Sequence, residues 1–122
     1  IIFYLSNFIL ILLYLFPGSL IGYFLYDDFK LQPQITRDYI ISSNHIYAFA
    51  ILSLIGFLTY KNSKKIKYLS GYLITVSIFL EIFHNFIPER SFEYSDLFGN
   101  LAGVIIVIIV FNLLKIYENS KN

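Results

Sequence analysis

Three long apolar runs constrain this chain more than anything else in it: residues 43–60, 68–86 and 97–117. Each holds roughly 18–21 residues, which at about 1.5 Å per residue crosses the ~30 Å hydrocarbon core of a bilayer. Ile and Val crowd the stretch from Val104 to Val110, yet a run this long fits a lipid-facing helix better than a strand. A further run, residues 1–16, is interrupted only by Ser6 and Asn7. It ends at Pro17-Gly18, where one residue removes a backbone donor and the next loosens the chain. The patch from Leu20 to Tyr26 is too short to span and reads as an interfacial or re-entrant piece that stops at Asp27-Asp28. Composition agrees: 57% of residues are hydrophobic, 14% are charged and the mean hydropathy is +0.68. A soluble domain carries roughly a quarter charged residues, and 122 residues cannot hide so much apolar surface from water. An ordinary soluble enzyme is excluded. The expected fold is all-α, one domain over residues 1–122, forming an integral membrane bundle of four transmembrane helices with spans near 1–16, 43–60, 68–86 and 97–117.

The first run lacks the small-residue cleavage site of a secretory signal, so it is expected to stay as an uncleaved helix. With no Met in the chain, Ile1 is expected to be the start of a trimmed sequence. Zero Cys excludes disulfides, thiolate metal sites and cysteine nucleophiles. The net charge of +1 gives no argument for nucleic acid, and the placement of the charges says more than their sum. Lys61, Lys64, Lys65 and Lys67 join the second and third expected spans, and Lys115 and Lys121 lie in the tail. The opposite side holds Lys30, Arg37 and Arg90 among Asp27, Asp28, Asp38, Glu89 and Glu93. The positive-inside rule puts the Lys-rich loop and both termini in the cytoplasm.

Ionisable side chains inside a span are costly in lipid and are functional candidates by default. The third span carries Glu81 and His84 three residues apart, on one helical face. Asp96, Asn100 and Gly103 form a second stripe, and His45 opens the second span. Counting helical rise puts Glu81 about 7 Å and Asn100 about 6 Å below the outer boundary. His45, His84 and Asp96 fall near that same level, with Arg90 in the hairpin above. Each residue also has a structural reading. Glu81 and Asn100 would hydrogen-bond across the bundle, Gly103 would let helices approach, and Arg90 would anchor at headgroups or pair with a carboxylate.

Glu81-x-x-His84 has the spacing of carboxylate-bridged metal bundles, but those need a second such pair. A single mixed N/O site from His45, His84, Glu81 and Asp96 is compatible with zinc or manganese, although nothing in the spacing demands one. No metal or cofactor is therefore expected. Ser42, Ser43 and Ser95 lie near these groups without the Gly-rich turn of a serine nucleophile.

The run Glu81-Ile-Phe-His84-Asn-Phe-Ile-Pro88-Glu-Arg90-Ser91-Phe-Glu-Tyr-Ser-Asp96-Leu-Phe-Gly-Asn100-Leu-Ala-Gly103 resembles the signature of VanZ-like membrane proteins. That signature is approximately Glu-x-x-Gln, Pro-x-Arg-Ser, Asp, then Asn-x-x-Gly. Asn44-His45-Ile46-Tyr47-Ala48-Phe49 is similar to the family's earlier His-centred helix start, and Phe16-Pro17-Gly18 to its proline after the first helix. The chain departs from the pattern at His84, at Ile41-Ser42, at Phe49 and at Val107. The resemblance implies a small multi-pass bacterial membrane protein of a family named for low-level resistance to teicoplanin. It carries Glu81, Arg90, Asp96, Asn100 and Gly103 over as motif residues, with His45 and His84 beside them, and gives Pro17, Gly18, Pro88 and Gly103 structural parts. The expected function is binding by a non-enzyme. The outward cluster of Glu81, Arg90, Asp96, Asn100, His45 and His84 would hold an anionic or polar headgroup, such as a lipid-linked envelope precursor, or lower the access of a glycopeptide. Membrane lipids are the expected partners. The alternative is an enzyme of lipid or envelope metabolism with a His/carboxylate pair and one metal ion.

The topology gives a direct prediction. In this cysteine-free chain, Lys64→Cys should resist a membrane-impermeant thiol reagent in intact cells, whereas Ser91→Cys beside Arg90 should react. The reverse pattern would invert the orientation.

Overall fold

The structure, a computed structural model, describes residues 1–38, 40–88 and 90–120. Glu89 and Lys121 of the charge map lie outside them. Five helices follow in order: α1 (Ile2–Leu15), α2 (Leu20–Tyr26), α3 (Ser43–Tyr60), α4 (Ile66–Phe83) and α5 (Tyr94–Ser120). A 3-10 turn, His84–Phe86, extends α4, and no strand occurs among the described residues. The all-α membrane bundle expected from the apolar runs is present. The helices α3, α4 with its turn, and α5 are each long and apolar enough to cross a membrane. The first two helices meet that test only as a pair bent by 85°. On its own α1 has 14 residues, or roughly 21 Å of rise.

The bend has local causes. Phe16 leaves the helix in an extended conformation, Pro17 follows, and Gly18 has φ +115°, a backbone that side chains with a Cβ rarely adopt. The Ser19 Oγ then accepts the Gly22 N–H at 2.9 Å and restarts the helix as α2. Asp27, with φ 55°, stops it one residue past Tyr26. Further on, Asp38 organises the start of α3: its Oδ1 accepts the Ser43 backbone N–H at 2.8 Å and the Ser43 hydroxyl at 3.0 Å. That backbone bond is the main reason the Asp38 carboxyl sits below its ordinary pKa.

The interior of the bundle mixes apolar and polar side chains, and its outside is largely apolar. Phe49, Leu52, Leu73 and Val104 make the buried apolar core, but Ser53, Ser77, Glu81 and Asn100 are equally enclosed. Facing outward on α5, Ile106 and Ile109 are about half exposed, which suits side chains meeting lipid rather than water. One end of the molecule is aromatic: Phe3 packs edge-on against Tyr60 and Tyr72, close to the Lys61–Lys67 connection. The other end of α1 brings Tyr14 to the ends of α3 and α4 that lie away from that connection. Short as it is, α1 therefore runs the depth of the bundle.

The closest approach is between α3 and α5. A Cβ added at Gly103 would lie 2.5 Å from the Ile46 carbonyl oxygen and 2.8 Å from the Ala50 nitrogen, so only glycine lets the two backbones meet there. On α4, by contrast, Gly71 has nothing within 4 Å of such an atom. Thermal melts in detergent should separate the two. Gly103→Val should cost about 1–3 kcal/mol through overpacking, while Gly71→Ala should raise stability by up to about 1 kcal/mol through helix propensity. Equal behaviour at both sites would refute the close-contact account.

Candidate functional site

At the end of the bundle opposite the Lys-rich loop, four helices aim polar side chains at one point. Helix α1 supplies Tyr14, α3 supplies His45, α4 and its turn supply Glu81 and His84, and α5 supplies Asp96 and Asn100. The helical spacings explain the pairs, since residues three and four apart share a face.

Tyr14 is the hub. Its hydroxyl donates to Glu81 Oε2 and accepts from Asn100 Nδ2 at 2.6 Å. The same oxygen lies 3.1 Å from His45 Nδ1. Its ring stacks on His84 with centroids 4.3 Å apart and meets the His45 ring edge-on at 5.1 Å. Asn100 Nδ2 also donates to the Ser77 carbonyl at 3.0 Å. With both jobs of the amide nitrogen on that side, Asn100 Oδ1 is the atom facing His45 Nδ1, at 2.7 Å. The second Glu81 oxygen accepts the Glu93 backbone N–H at 3.0 Å. His84 Nε2 donates to the Tyr14 carbonyl at 2.8 Å and presents Nδ1 to Glu81 Oε2 at 3.4 Å. His45 Nε2 stands 3.6 Å from Asp96 Oδ1. Glu81 and Asn100 are fully enclosed, while His45 and Asp96 keep 19% of their side-chain surface and form the open edge.

The structure thus brings together five of the six expected binding residues: His45, Glu81, His84, Asp96 and Asn100. Arg90 goes elsewhere. Its Nε donates to the Phe16 carbonyl at 3.2 Å, and its Nη2 donates to the Gly18 carbonyl at 2.6 Å and more weakly to that of Leu13 at 3.5 Å. These are the oxygens freed where α1 breaks, so Arg90 serves as its C-terminal cap. The expected pairing of Arg90 with a carboxylate is corrected: Glu81 and Asp96 pair with histidines, and carbonyls hold the guanidinium. Pro88 sits in the turn that delivers it, closed by the Arg90 N–H on the Ile87 carbonyl at 3.2 Å. Pro17 and Gly18 make the break itself, and Gly103 packs helices without touching the cluster. Arg90 also lines a cavity of about 290 Å³ with Gly18, Ser19, Phe29, Lys30 and Gln32.

Sequence reasoning missed Tyr14. A hydroxyl inside an otherwise aliphatic run needs a partner in lipid, and counting back from Pro17 would have put it at the level of the cluster. Comparison with protein-family models, with curated proteins and with solved structures finds no match to this chain.

What the arrangement defines is a helical membrane protein with a polar network of two carboxylates, two imidazoles, a phenol and an amide, enclosed except at the His45–Asp96 edge. Removing the hub should show its worth. Tyr14→Phe strands a Glu81 oxygen and an Asn100 N–H in a dry interior, which should cost about 1–3 kcal/mol in a detergent melt. Combined with Glu81→Gln the loss should be smaller than the sum of the single losses. Strict additivity would mean that the two side chains do not communicate.

Proposed function

We propose that this chain is a VanZ-like membrane protein of the bacterial plasma membrane, with both termini cytoplasmic, that binds the anionic headgroup of an envelope lipid at its outer face. The observation that carries the reading is the cavity beside the α1 break, where the guanidinium of Arg90 and the side chain of Lys30 flank the backbone of Gly18 and Ser19. Two cations in a cleft at the headgroup level suit a phosphate. Arg90 spends Nε and Nη2 on carbonyls, which fixes its orientation, and its Nη1 makes no hydrogen bond to the described residues. Lys30 forms no ion pair among the described residues either. Aromatic Phe29 gives such a headgroup an apolar wall. The resemblance to VanZ-like proteins supports an envelope lipid, and through it an effect on teicoplanin, whose access to the membrane surface a lipid-occupying protein would lower.

A second reading draws on the open edge of the network, where His45 and Asp96 stand side by side as an acid–base pair would. It makes the protein an enzyme acting on an envelope lipid, and it requires turnover that His45→Gln abolishes.

Lys30 provides the test of the first reading because it does not hold the fold together. Flotation with vesicles containing phosphatidylglycerol, or native mass spectrometry of co-purified lipid, should show Lys30→Gln binding about fivefold more weakly, as expected for about 1 kcal/mol per surface lysine. Its melting temperature should stay unchanged. Arg90→Ala should lower both binding and stability, and neither Asp96→Asn nor Glu81→Gln should rescue it, since neither carboxylate is its partner. Lipid retention that ignores Lys30 would sink the proposal.

A further inference from the structure

We infer that His45, Glu81 and Asp96 form a binding site for one divalent transition cation, independent of the headgroup cavity. One ligand atom from each of the three lies within 4.8 Å of the other two. The 3.6 Å between His45 Nε2 and Asp96 Oδ1 already suits bonds of about 2.0–2.2 Å to zinc, and Glu81 would have to draw inward to complete the set.

The hydrogen-bond network fixes which atom His45 offers. Asn100 turns its amide nitrogen to the Tyr14 hydroxyl and the Ser77 carbonyl, so its oxygen faces His45 Nδ1. An amide oxygen only accepts. The Tyr14 hydroxyl, having given its proton to Glu81, can only accept from Nδ1 as well. Nδ1 therefore carries the proton, and in the neutral ring Nε2 is left with a bare lone pair. That lone pair is directed at Asp96 Oδ1, 3.6 Å away, another acceptor. Two acceptors at that distance repel each other unless a proton or a metal ion stands between them, and a divalent ion would meet Glu81 as well. An Nδ1–H anchored on an amide oxygen with Nε2 free is also how a metal-bound histidine is normally oriented from behind.

Charge points the same way. No Lys or Arg among the described residues pairs with Glu81 or Asp96, whose ionic contacts are to histidines alone. His84 stands behind Glu81, tied to the Tyr14 carbonyl, and serves as a positioning residue rather than a ligand. The donor set of one imidazole and two carboxylates favours zinc or manganese over magnesium, which prefers oxygen and keeps its water. The 19% exposure of His45 and Asp96 leaves one side of the ion open to the membrane surface.

The experiment uses the full chain, purified in detergent without a histidine tag, stripped with chelator and titrated calorimetrically with ZnCl₂ and, separately, MnCl₂. The expected result is one ion per chain for at least one metal, with a rise in melting temperature on binding. His45→Gln and Asp96→Asn should each weaken that binding roughly tenfold or more, while Lys64→Gln at the far end should leave it intact. Should a ligand variant fail to fold, pulsed electron paramagnetic resonance of the wild-type protein with Mn²⁺ reads the imidazole directly, through coupling to a ligand nitrogen. Failure of the folded wild-type protein to take up either ion stoichiometrically would overturn the assignment. So would uptake that survives both folded variants unchanged, or bound Mn²⁺ with no nitrogen coupling. Neither result bears on lipid retention through Lys30, so the two readings fail separately.

Discussion

A carboxylate sealed from both water and lipid has to be met by protein donors on every side, and Glu81 sets that demand for the whole bundle. It receives the Tyr14 hydroxyl from α1, the Glu93 N–H from the start of the last segment and the His84 ring from its own helix. Asn100 joins through Tyr14 and binds the Ser77 carbonyl of α4 as well. Between helices in lipid the hydrophobic effect gives little adhesion, since lipid tails are as apolar as leucine. Contacts of this kind, with the close packing at Gly103, are what distinguish one helix arrangement from another. The network is therefore as much the organiser of the fold as a place for chemistry.

Much of this was legible in the sequence, for a definite reason. Glu81, His84, Asp96, Asn100 and Gly103 stand out because helical periodicity converts spacing into a shared face, and rise per residue converts position into depth. Two helices entering from the same boundary must bring polar groups at equal depth together. Tyr14 escaped because tyrosine is unremarkable near membrane boundaries, and its orientation depends on how a short helix leans against three others. Arg90 was read as an outer charge, but its partners are carbonyl oxygens, which every residue has. No residue type marks such a partner. They become available only because α1 breaks, and the turn at Pro88 happens to aim the side chain there.

The break in α1 links the two polar regions. Stopping at Leu15 frees carbonyl oxygens that Arg90 collects, and the bend of 85° carries α2 away from the bundle and leaves the cleft between Gly18, Phe29 and Lys30. The last turn of the same helix holds Tyr14 against Glu81. One short helix thus closes the interior network on one face while the interruption that ends it shapes a charged cleft on the other. An unbroken helix would satisfy its own carbonyls and offer neither the cleft nor a reason for Arg90 to be held beside it.

Chain order adds a consequence for biogenesis. Synthesis proceeds from the N-terminus, so Tyr14 and His45 are made before Glu81, and Asn100 and Asp96 come after it. When α4 enters the bilayer, its one carboxylate meets a phenol already in place, which lowers the cost of bringing Glu81 into lipid. The amide that completes the arrangement arrives only with α5, whose glycine face then locks onto α3. A nascent chain halted before α5 would hold Ser77 and Tyr14 with unfilled hydrogen-bonding capacity in the membrane. Such an intermediate carries its own mark of incompleteness, of the sort that membrane quality control can recognise.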